Sequence, residues 1–135
     1  MYVVEYADSY CLEYLKKHDN HISEEMLYRK IKSNEVIIVK IEDKIIGWLR
    51  YGYFWDSIPF MNMLMIDEQH RGKGAGKNLV GFWQKEMKAN GYKIIMTSSL
   101  SNELAQHFYR KLDYKDSGSL MLEDEALEII FTKEL

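Results

Sequence analysis

The sequence predicts a mixed α/β fold in which one mixed, mostly antiparallel sheet of about seven strands is flanked by about four helices. The 135 residues are 47% hydrophobic and contain one proline, which indicates a single packed domain spanning residues 1–135. Strand and helix patterns follow in the order β-α-α-β-β-β-α-β-α-β-β. Three consecutive strands in the middle of that order favour a mixed sheet over a purely parallel one.

The first elements are a strand at residues 2–6 and two helices. Either Asp8 or Ser9 caps the first helix, because a short polar side chain can accept a hydrogen bond from a free amide of the first turn. Ser23 caps the second helix, and Asn34 ends it.

The centre of the chain predicts three strands. Val and Ile dominate residues 35–42 and 45–53, and the pair Asp43-Lys44 predicts a hairpin turn between them. A third strand covers residues 60–67. It opens at Pro59, because proline has no amide hydrogen and suits the start of a strand better than its middle.

The second half of the chain alternates helices and strands. A glycine loop at residues 69–76 leads into a helix that Asn90-Gly91 ends. The apolar stripe of this helix comprises Ala75, Leu79, Val80, Trp83 and Met87. The remaining predicted elements are a strand at 92–98, a helix at 102–111 and an antiparallel pair at 114–122 and 127–132.

Composition and charge exclude several classes of function. Eighteen basic against 21 acidic side chains give a net charge of −3, which disfavours non-specific nucleic-acid binding. One cysteine, Cys11, cannot form an internal disulfide or a Cys-based zinc site, and four scattered histidines predict no metal centre. No apolar run is long enough to span a membrane and no signal peptide is recognisable, so a cytoplasmic location is expected.

The strongest chemical signal is the segment Arg71-Gly72-Lys73-Gly74-Ala75-Gly76, between a predicted strand and a predicted helix. Glycines let the backbone approach a ligand closely, and the helix behind them points free amides and the positive end of its dipole at that ligand. With Lys77 adding charge, the segment predicts a phosphate site. A glycine turn that only caps a helix is the alternative interpretation.

Two common nucleotide-binding motifs do not fit this loop. A Walker A loop requires Gly at position 71 and Ser or Thr at position 78, where the chain has Arg71 and Asn78. A dinucleotide fingerprint that starts at Gly72 requires Gly or Ala at position 77, which is Lys77. It would also follow the first strand of a parallel unit.

Two sequence motifs occur together in the second half of the chain. The first is Arg-x-x-Gly-x-Gly after an apolar strand, with Arg71, Gly74 and Gly76. The second comprises Asn102, Ala105, Phe108, Tyr109, Lys111, Leu112 and Tyr114. Together they resemble the acetyl-CoA loop and the Asn…Ala…(aromatic)-Tyr-x-Lys-Leu-Gly-Phe pattern of the GNAT superfamily of N-acetyltransferases. Residues 60–116 carry both motifs, and the order of elements agrees over most of the chain.

The resemblance implies a cofactor, acetyl-CoA, and the residues that bind it. Its pantetheine arm would lie where two neighbouring parallel strands splay apart, near Asp67 and Ser98. The implied cofactor contacts are the strand backbone at Leu64, Met65 and Ile66, the loop residues Arg71, Gly72, Lys73, Gly74, Ala75, Gly76 and Lys77, and the side chains of Asn102 and Tyr109.

The expected chemistry needs neither a metal nor a covalent enzyme intermediate. An amine attacks the thioester carbonyl, and a backbone N–H, that of Ile66, stabilises the developing oxyanion. The departing thiolate takes a proton from Tyr109, the role the family implies. Asn102 and Tyr109 are seven residues apart and are therefore expected on nearly one helix face, with Ala105 between them. Core packing of Tyr109 and helix capping by Asn102 are the structural alternatives.

Two features depart from the family pattern. Asp113 stands where glycine is usual. Many members carry an acidic base near the start of the strand before the loop, where this chain has Phe60 and Asn62, so no base is evident. The remaining acidic candidates are Asp56, Asp67 and Glu68.

Residues 51–60 carry five aromatic side chains around Asp56. They are interpreted either as part of an acceptor pocket or as a cover for the core or a dimer interface. In the first interpretation Trp55, Asp56 and Asn62 contact the acceptor, and the carboxylate of Asp56 attracts a cationic amine.

The predicted function is transfer of an acetyl group from acetyl-CoA, with CoA as product, to a primary amine of a small molecule or peptide. A monomer or homodimer is expected to act without nucleic acid or membrane. The alternatives are a non-catalytic acyl-CoA-binding module of the same fold and a phosphate- or nucleotide-binding regulatory domain.

Overall fold

Seven strands form one mixed sheet in the computed structural model of this protein, which describes residues 1–135. In chain order they are β1 (Val3–Tyr6), β2 (Val36–Ile41), β3 (Lys44–Phe54), β4 (Ile58–Ile66), β5 (Ile94–Leu100), β6 (Lys115–Leu120) and β7 (Glu128–Glu134). Their order in the sheet is β1-β2-β3-β4-β5-β7-β6. The predicted fold class, the number of strands and their mixed direction are confirmed.

Four α-helices connect the strands, in the predicted order. They are α1 (Leu12–His18), α2 (Glu24–Lys32), α3 (Ala75–Ala89) and α4 (Ala105–Lys111), with short 3₁₀ turns at Ser9–Cys11 and Glu68–His70. Ser23 caps α2 as predicted, because its Oγ accepts the Met26 amide at 3.2 Å. Asp8 caps the 3₁₀ turn before α1 through the Tyr10 amide. No helix combines the length and the hydropathy that a bilayer crossing requires.

The only parallel neighbours in the sheet are β4 and β5. Their pairing joins Phe60 to Met96 and Met61 to Thr97. The Thr97 hydroxyl adds a hydrogen bond to the carbonyl oxygen of Met61 at 3.0 Å. The paired stretch is therefore short compared with the nine residues of β4 and the seven of β5.

The turn before β3 and the start of β4 differ from the prediction. The turn between β2 and β3 uses Glu42 and Asp43, both with positive φ (49° and 64°), so that Lys44 already belongs to β3. Strand β4 begins at Ile58, and Pro59 is its second residue. Proline is tolerated there because the start of a strand does not require its amide.

Helix α4 begins three residues later than predicted, at Ala105. Residues 101–104 form a turn in which Gln106 donates both to the Ser101 carbonyl and to the Glu103 carbonyl, each at 2.8 Å. The side chain of Glu103 accepts the Leu100 amide. These local side-chain bonds compete with helical backbone bonds, so the prediction that Asn102 starts or caps the helix is wrong.

The chain divides into two compact units. The first consists of residues 1–51 and 63–85, and the second of residues 52–62 and 86–135. Strands β3 and β4 and helix α3 each contribute residues to both units.

The first unit has an apolar core beneath α1 and α2. Its buried members are Ala7, Cys11, Leu15, Leu27, Ile31, Val36, Ile38 and Trp48.

The predicted apolar stripe of α3 is confirmed, since all five of its residues are at most 1% exposed.

The first unit also buries a charge pair that the sequence did not reveal. Asp19, which follows α1, is 3% exposed and accepts hydrogen bonds from Arg50 Nε at 2.6 Å and from Trp48 Nε1 at 3.1 Å. Its other oxygen accepts the amide of His21 at 3.2 Å. The two carboxylate oxygens of Asp19 thus connect the segment between α1 and α2 to β3.

The second unit is built around the antiparallel strands β5, β7 and β6. β5 and β7 pair over seven residues, from Ile94 with Glu134 to Leu100 with Glu128. Phe131 on β7 is fully buried. Ser98 and Ser99 lie inside β5, which continues to Leu100, two residues beyond the predicted end of this strand.

Candidate functional site

The glycine loop of the first unit has the backbone that an anion site needs. Gly72 and Gly74 adopt left-handed φ values of 75° and 95°. A Cβ atom added at either residue would meet no heavy atom within 4 Å, so the space beside the loop is open. Helix α3 starts directly behind, and its first turn leaves backbone amides without intrahelical acceptors.

The loop is held by a hydrogen bond from the rest of the first unit, and its lysine side chains are exposed. The Tyr2 hydroxyl donates to the Lys73 carbonyl at 2.9 Å, and Ala75 is 1% exposed. The side chains of Lys73 and Lys77 are exposed. A phosphate beside these amides would therefore meet positive charge and the helix dipole at the same place.

The end of β4 presents alternate backbone groups in opposite directions. The Asp67 amide donates to the Ile46 carbonyl of β3 at 2.7 Å, and the Met65 carbonyl also faces β3, close to Gly47. In an antiparallel pair the N–H and C=O of one residue point to the same side, and the next residue points to the other. The backbone groups of Leu64 and Ile66 are therefore directed away from β3.

Gly47 makes this close approach possible. A Cβ atom at position 47 would lie 2.6 Å from the Met65 carbonyl oxygen and 2.7 Å from Ile66 Cδ1. No larger residue fits without displacing the backbone of β4. Glycine at position 47 thus sets the path of the strand segment that precedes the loop.

Arg71 brings the loop and the strand end together. Its Nε donates to the Ile66 carbonyl at 2.9 Å, and its Nη2 lies 3.5 Å from Met65 Sδ. The Ile66 carbonyl is thereby occupied within the first unit. This contact links the first residue of the predicted loop to Met65 and Ile66 at the end of β4.

Tyr109 lies in the interior of the second unit. It is 5% exposed, and its ring contacts Tyr114 and Phe131 with centroids 5.6 and 5.9 Å away. Burial raises the pKa of Tyr109 to about 12, and a hydrogen bond with Thr97 opposes that rise. The phenol therefore keeps its proton at neutral pH.

Asn102 does not share a helix face with Tyr109. It is exposed and lies in the turn that precedes α4, so helical spacing does not apply between positions 102 and 109. Ala105, expected between them on one face, is the first residue of the helix and is exposed.

A cavity of about 380 Å³ opens in the second unit. Its wall is formed by three aromatic, two aliphatic and two polar residues. They are Tyr53, Phe54, Phe60, Leu120, Ile130, Asn62 and Ser98. Of the three residues predicted to contact an acceptor, Asn62 lines this cavity.

Trp55 and Asp56 lie beside the cavity and not in its wall. Both are exposed and form the β3–β4 turn with φ values of 54° and 61°. The Trp55 ring leans on Phe54, with centroids 4.6 Å apart. The turn thus continues the aromatic surface outward from the cavity.

Comparison with known proteins identifies the family. A sequence profile of the acetyltransferase (GNAT) family matches residues 3–114. The chain belongs to the GNAT acetyltransferases. A comparison with curated protein sequences gives no match.

Solved GNAT structures share the fold of this chain. A GNAT-family acetyltransferase from Bacillus cereus is 23% identical over 99% of this chain and 97% of its own, with a TM-score of 0.81. A polyamine N-acetyltransferase from Drosophila melanogaster is 13% identical, covers 100% of both chains and has a TM-score of 0.83. The paia N-acetyltransferase from Thermoplasma acidophilum, solved with coenzyme A, is 16% identical over 100% and 99%, with a TM-score of 0.80.

The departure of this GNAT chain at position 113 has a structural explanation. Asp113 adopts a left-handed φ of 69° immediately after α4. The Tyr114 amide donates to the Tyr109 carbonyl at 3.1 Å, as in the usual helix ending with glycine. Aspartate tolerates this conformation better than most residues, so the helix still ends where the family pattern places glycine.

None of the acidic candidates for a general base lines the cavity of the second unit. Asp67 and Glu68 belong to the first unit, where they line a different cavity of about 340 Å³ together with Lys44 and Arg71. Asp56 is exposed in its turn. No acidic side chain lines the cavity that contains Asn62.

Sequence reasoning missed part of this GNAT structure. The wall residues Ser98, Leu120 and Ile130 come from three strands far apart in the chain, and no local pattern connects them. The aromatic run at residues 51–60 did indicate the other side of the cavity. Gly47 carried no signal, because its function depends on a neighbouring strand.

Proposed function

We propose that this GNAT chain is an acetyl-CoA-dependent N-acetyltransferase that transfers an acetyl group to a primary amine by direct attack on the thioester. The supporting observation is the loop at residues 71–76, with two left-handed glycines, open space beside them and a helix start behind. Relatives of the same fold have been solved with acetyl coenzyme A and with coenzyme A.

The donor's phosphates would be held by backbone amides of the loop. Gly72 and Gly74 let the chain curve around an anion, while Lys73 and Lys77 supply charge. Arg71 has a second task, because its Nε already fixes the Ile66 carbonyl. In this proposal Gly76 and Ala75 contribute amides of the first helical turn.

The pantetheine arm would use the backbone groups that β3 leaves unpaired. Those groups belong to Leu64 and Ile66. The backbone of Met65 faces β3, and its side chain packs against the core of the first unit. In the second unit Asn102 is a proposed contact from an exposed turn, which is accessible to a ligand.

Acetyl-CoA would supply an activated acyl group, as a thioester with a good leaving group. The N–H of Ile66 would donate to the carbonyl oxygen as negative charge develops there, since the carbonyl of the same residue is held by Arg71. The Tyr109 hydroxyl would hold a proton for the departing sulfur, because burial keeps that phenol neutral.

Thermal unfolding with separate additions of acetyl-CoA, CoA, ATP and NAD tests this proposal. A ligand at a hundred times its Kd stabilises by about 2.7 kcal/mol, which raises the unfolding midpoint of such a domain by roughly 5–15 °C. We expect this rise with the two CoA compounds alone. A rise with ATP or NAD alone would favour a nucleotide-binding domain.

A pair of glycine variants locates the donor site. Gly74→Ala and Gly91→Ala place a Cβ at nearly equal φ values of 95° and 91°, both in open space, so the two variants carry similar strain. Gly91 lies at the other end of α3 and is the matched control. Only Gly74→Ala is expected to reduce the CoA-induced rise, and equal reductions would contradict the placement. Thiol release from acetyl-CoA with an amine panel then separates an enzyme from a binding module.

A further inference from the structure

The cavity of the second unit contains no charged residue in its wall. Five of its seven lining residues are apolar or aromatic, and the other two are Asn62 and Ser98. Its volume of about 380 Å³ lies within the range of small-molecule sites, roughly 300–1,000 Å³. A buried ammonium or carboxylate would lose hydration there without gaining an ionic partner.

The aromatic wall is ordered and partly uncovered. Phe54 and Phe60 are stacked, with centroids 6.3 Å apart and rings 28° from parallel. Phe54 is nevertheless 36% exposed and Tyr53 38% exposed. A flat apolar group of a ligand would cover this surface and gain both burial and ring stacking.

The two polar residues of the wall occupy equivalent places on neighbouring strands. Asn62 follows Met61, the last residue of β4 that pairs with β5, and Ser98 follows Thr97, the partner of Met61 on β5. An amide and a hydroxyl therefore lie together where the parallel pairing stops. They can accept hydrogen bonds from an uncharged amine while its apolar group lies against the aromatic wall.

We propose that this cavity selects the acceptor: a primary amine carried next to an aromatic or bulky apolar group, without a second positive charge. This inference rests on the proposed acetyl transfer. In that reaction the new N–C bond forms as the C–S bond breaks. The amine nitrogen loses one proton and the sulfur gains one, which gives an N-acetyl amine and CoA.

Charge separates this acceptor class from a polyamine. A polyamine carries several positive charges and is recognised best by carboxylates, which the wall lacks. The acidic residues nearest to the wall in sequence are Asp56, in the exposed β3–β4 turn, and Glu128, which pairs with Leu120 at the start of β7, and neither belongs to the wall. The shared chemistry of the proposed acceptors is an amine beside an apolar group, which an arylalkylamine or an apolar N-terminal residue of a peptide can provide.

Initial rates of CoA thiol release test the inference. The acceptors are 2-phenylethylamine, n-propylamine, spermidine, and the dipeptide amides Phe-Ala and Ser-Ala, all with saturating acetyl-CoA. We expect kcat/KM for 2-phenylethylamine or Phe-Ala amide to exceed that for spermidine and Ser-Ala amide by about tenfold or more. Whichever of 2-phenylethylamine and Phe-Ala amide gives the higher kcat/KM shows whether the acceptor is a small amine or a peptide.

Two variants and a control assign the effect to the cavity. Phe54→Ala is expected to raise KM for 2-phenylethylamine about tenfold and KM for n-propylamine much less, because the latter has no ring to stack. Leu120→Asp places a carboxylate at a half-exposed wall position and is expected to raise the relative rate with spermidine. Tyr10→Ala, which removes an aromatic ring that is 91% exposed elsewhere, is the control.

The outcomes distinguish this inference from the proposed function. A preference for spermidine in the unmodified protein would overturn the inference and leave acetyl transfer standing. Stabilisation by CoA without turnover of any amine would overturn both the inference and the catalytic assignment, leaving an acyl-CoA-binding module. The absence of any CoA effect would remove the donor site itself.

Discussion

The glycine loop of the first unit and the aromatic cavity of the second differ in the atoms that carry their chemistry. The loop offers backbone amides, shaped by Gly72 and Gly74 within a few consecutive residues. The cavity offers side chains from five strands, from Tyr53 on β3 to Ile130 on β7. A site made of consecutive backbone can be recognised in a sequence, whereas a site made of distant side chains requires the fold.

The two units also differ in what they bury. The first unit buries a carboxylate–guanidinium pair, Asp19 with Arg50, beside its apolar core. The second buries two phenols, Tyr109 and Tyr114, which contact each other, and Tyr109 also contacts Phe131. The framework of the first unit therefore depends on charge compensation, and that of the second on aromatic packing with neutral hydroxyl groups.

Removing one partner of the buried ion pair would disrupt the first unit most strongly. Asp19→Ala leaves Arg50 and the Trp48 N–H without their carboxylate in a site that excludes water. We expect a loss of about 3–5 kcal/mol in the free energy of unfolding, measured by urea denaturation. The neighbouring Asn20→Ala, at an exposed position, is the control. A loss below about 1 kcal/mol for Asp19→Ala would mean that the pair does not support the fold.

The next effect concerns Tyr109 and has two parts. Tyr109→Phe removes the proposed acid, and we expect kcat to fall about a hundredfold while the CoA-induced thermal shift is kept. Tyr114→Phe is the matched control, since burial also raises the pKa of that phenol but no catalytic function is proposed for it. Equal rates in the two variants would exclude Tyr109 as the acid.

The same variant tests the alkaline pH dependence of stability. The folded pKa of Tyr109 lies above its unfolded value of about 10, so above pH 10 the unfolded state binds fewer protons than the folded one. Unfolding is then favoured as the pH rises, and a stabilising contribution of roughly 2–3 kcal/mol present below pH 10 is lost by about pH 12. We expect urea denaturation to show that the free energy of unfolding of Tyr109→Phe falls less steeply between pH 10 and about pH 12 than that of the unmodified protein. An unchanged slope would contradict the buried placement of the phenol.

Much of the fold was predictable from the sequence, because its signals are local. The stripe of α3 repeats at helical spacing, and Ser23 caps α2 through a residue three positions away. The start of α4 was not predictable in the same way. Gln106 and Glu103 bind the backbone of residues 100–103 and replace the helical turn that the spacing alone favours.

The candidate site was predictable in part, for the same reason. The loop at residues 71–76 has a composition that specifies its conformation. The contact of Arg71 with the Ile66 carbonyl and the need for glycine at position 47 depend on how β3 and β4 pair. Asp19 resembled any polar residue after a helix, because its partner Arg50 is 31 positions away.

The smallest expected effect tests whether the helix end beside Tyr109 is strained. Asp113 has a φ of 69°, a conformation that glycine adopts without steric cost. Its side chain is exposed. Asp113→Gly relieves this strain but also gives the unfolded chain more freedom, so we expect a net gain of at most about 1 kcal/mol. Lys115→Gly, in the extended strand β6, should instead lose stability. If Asp113→Gly is also destabilising in urea denaturation, the aspartate contributes more to this helix end than its conformation costs. The family's glycine would then not be the better residue in this chain.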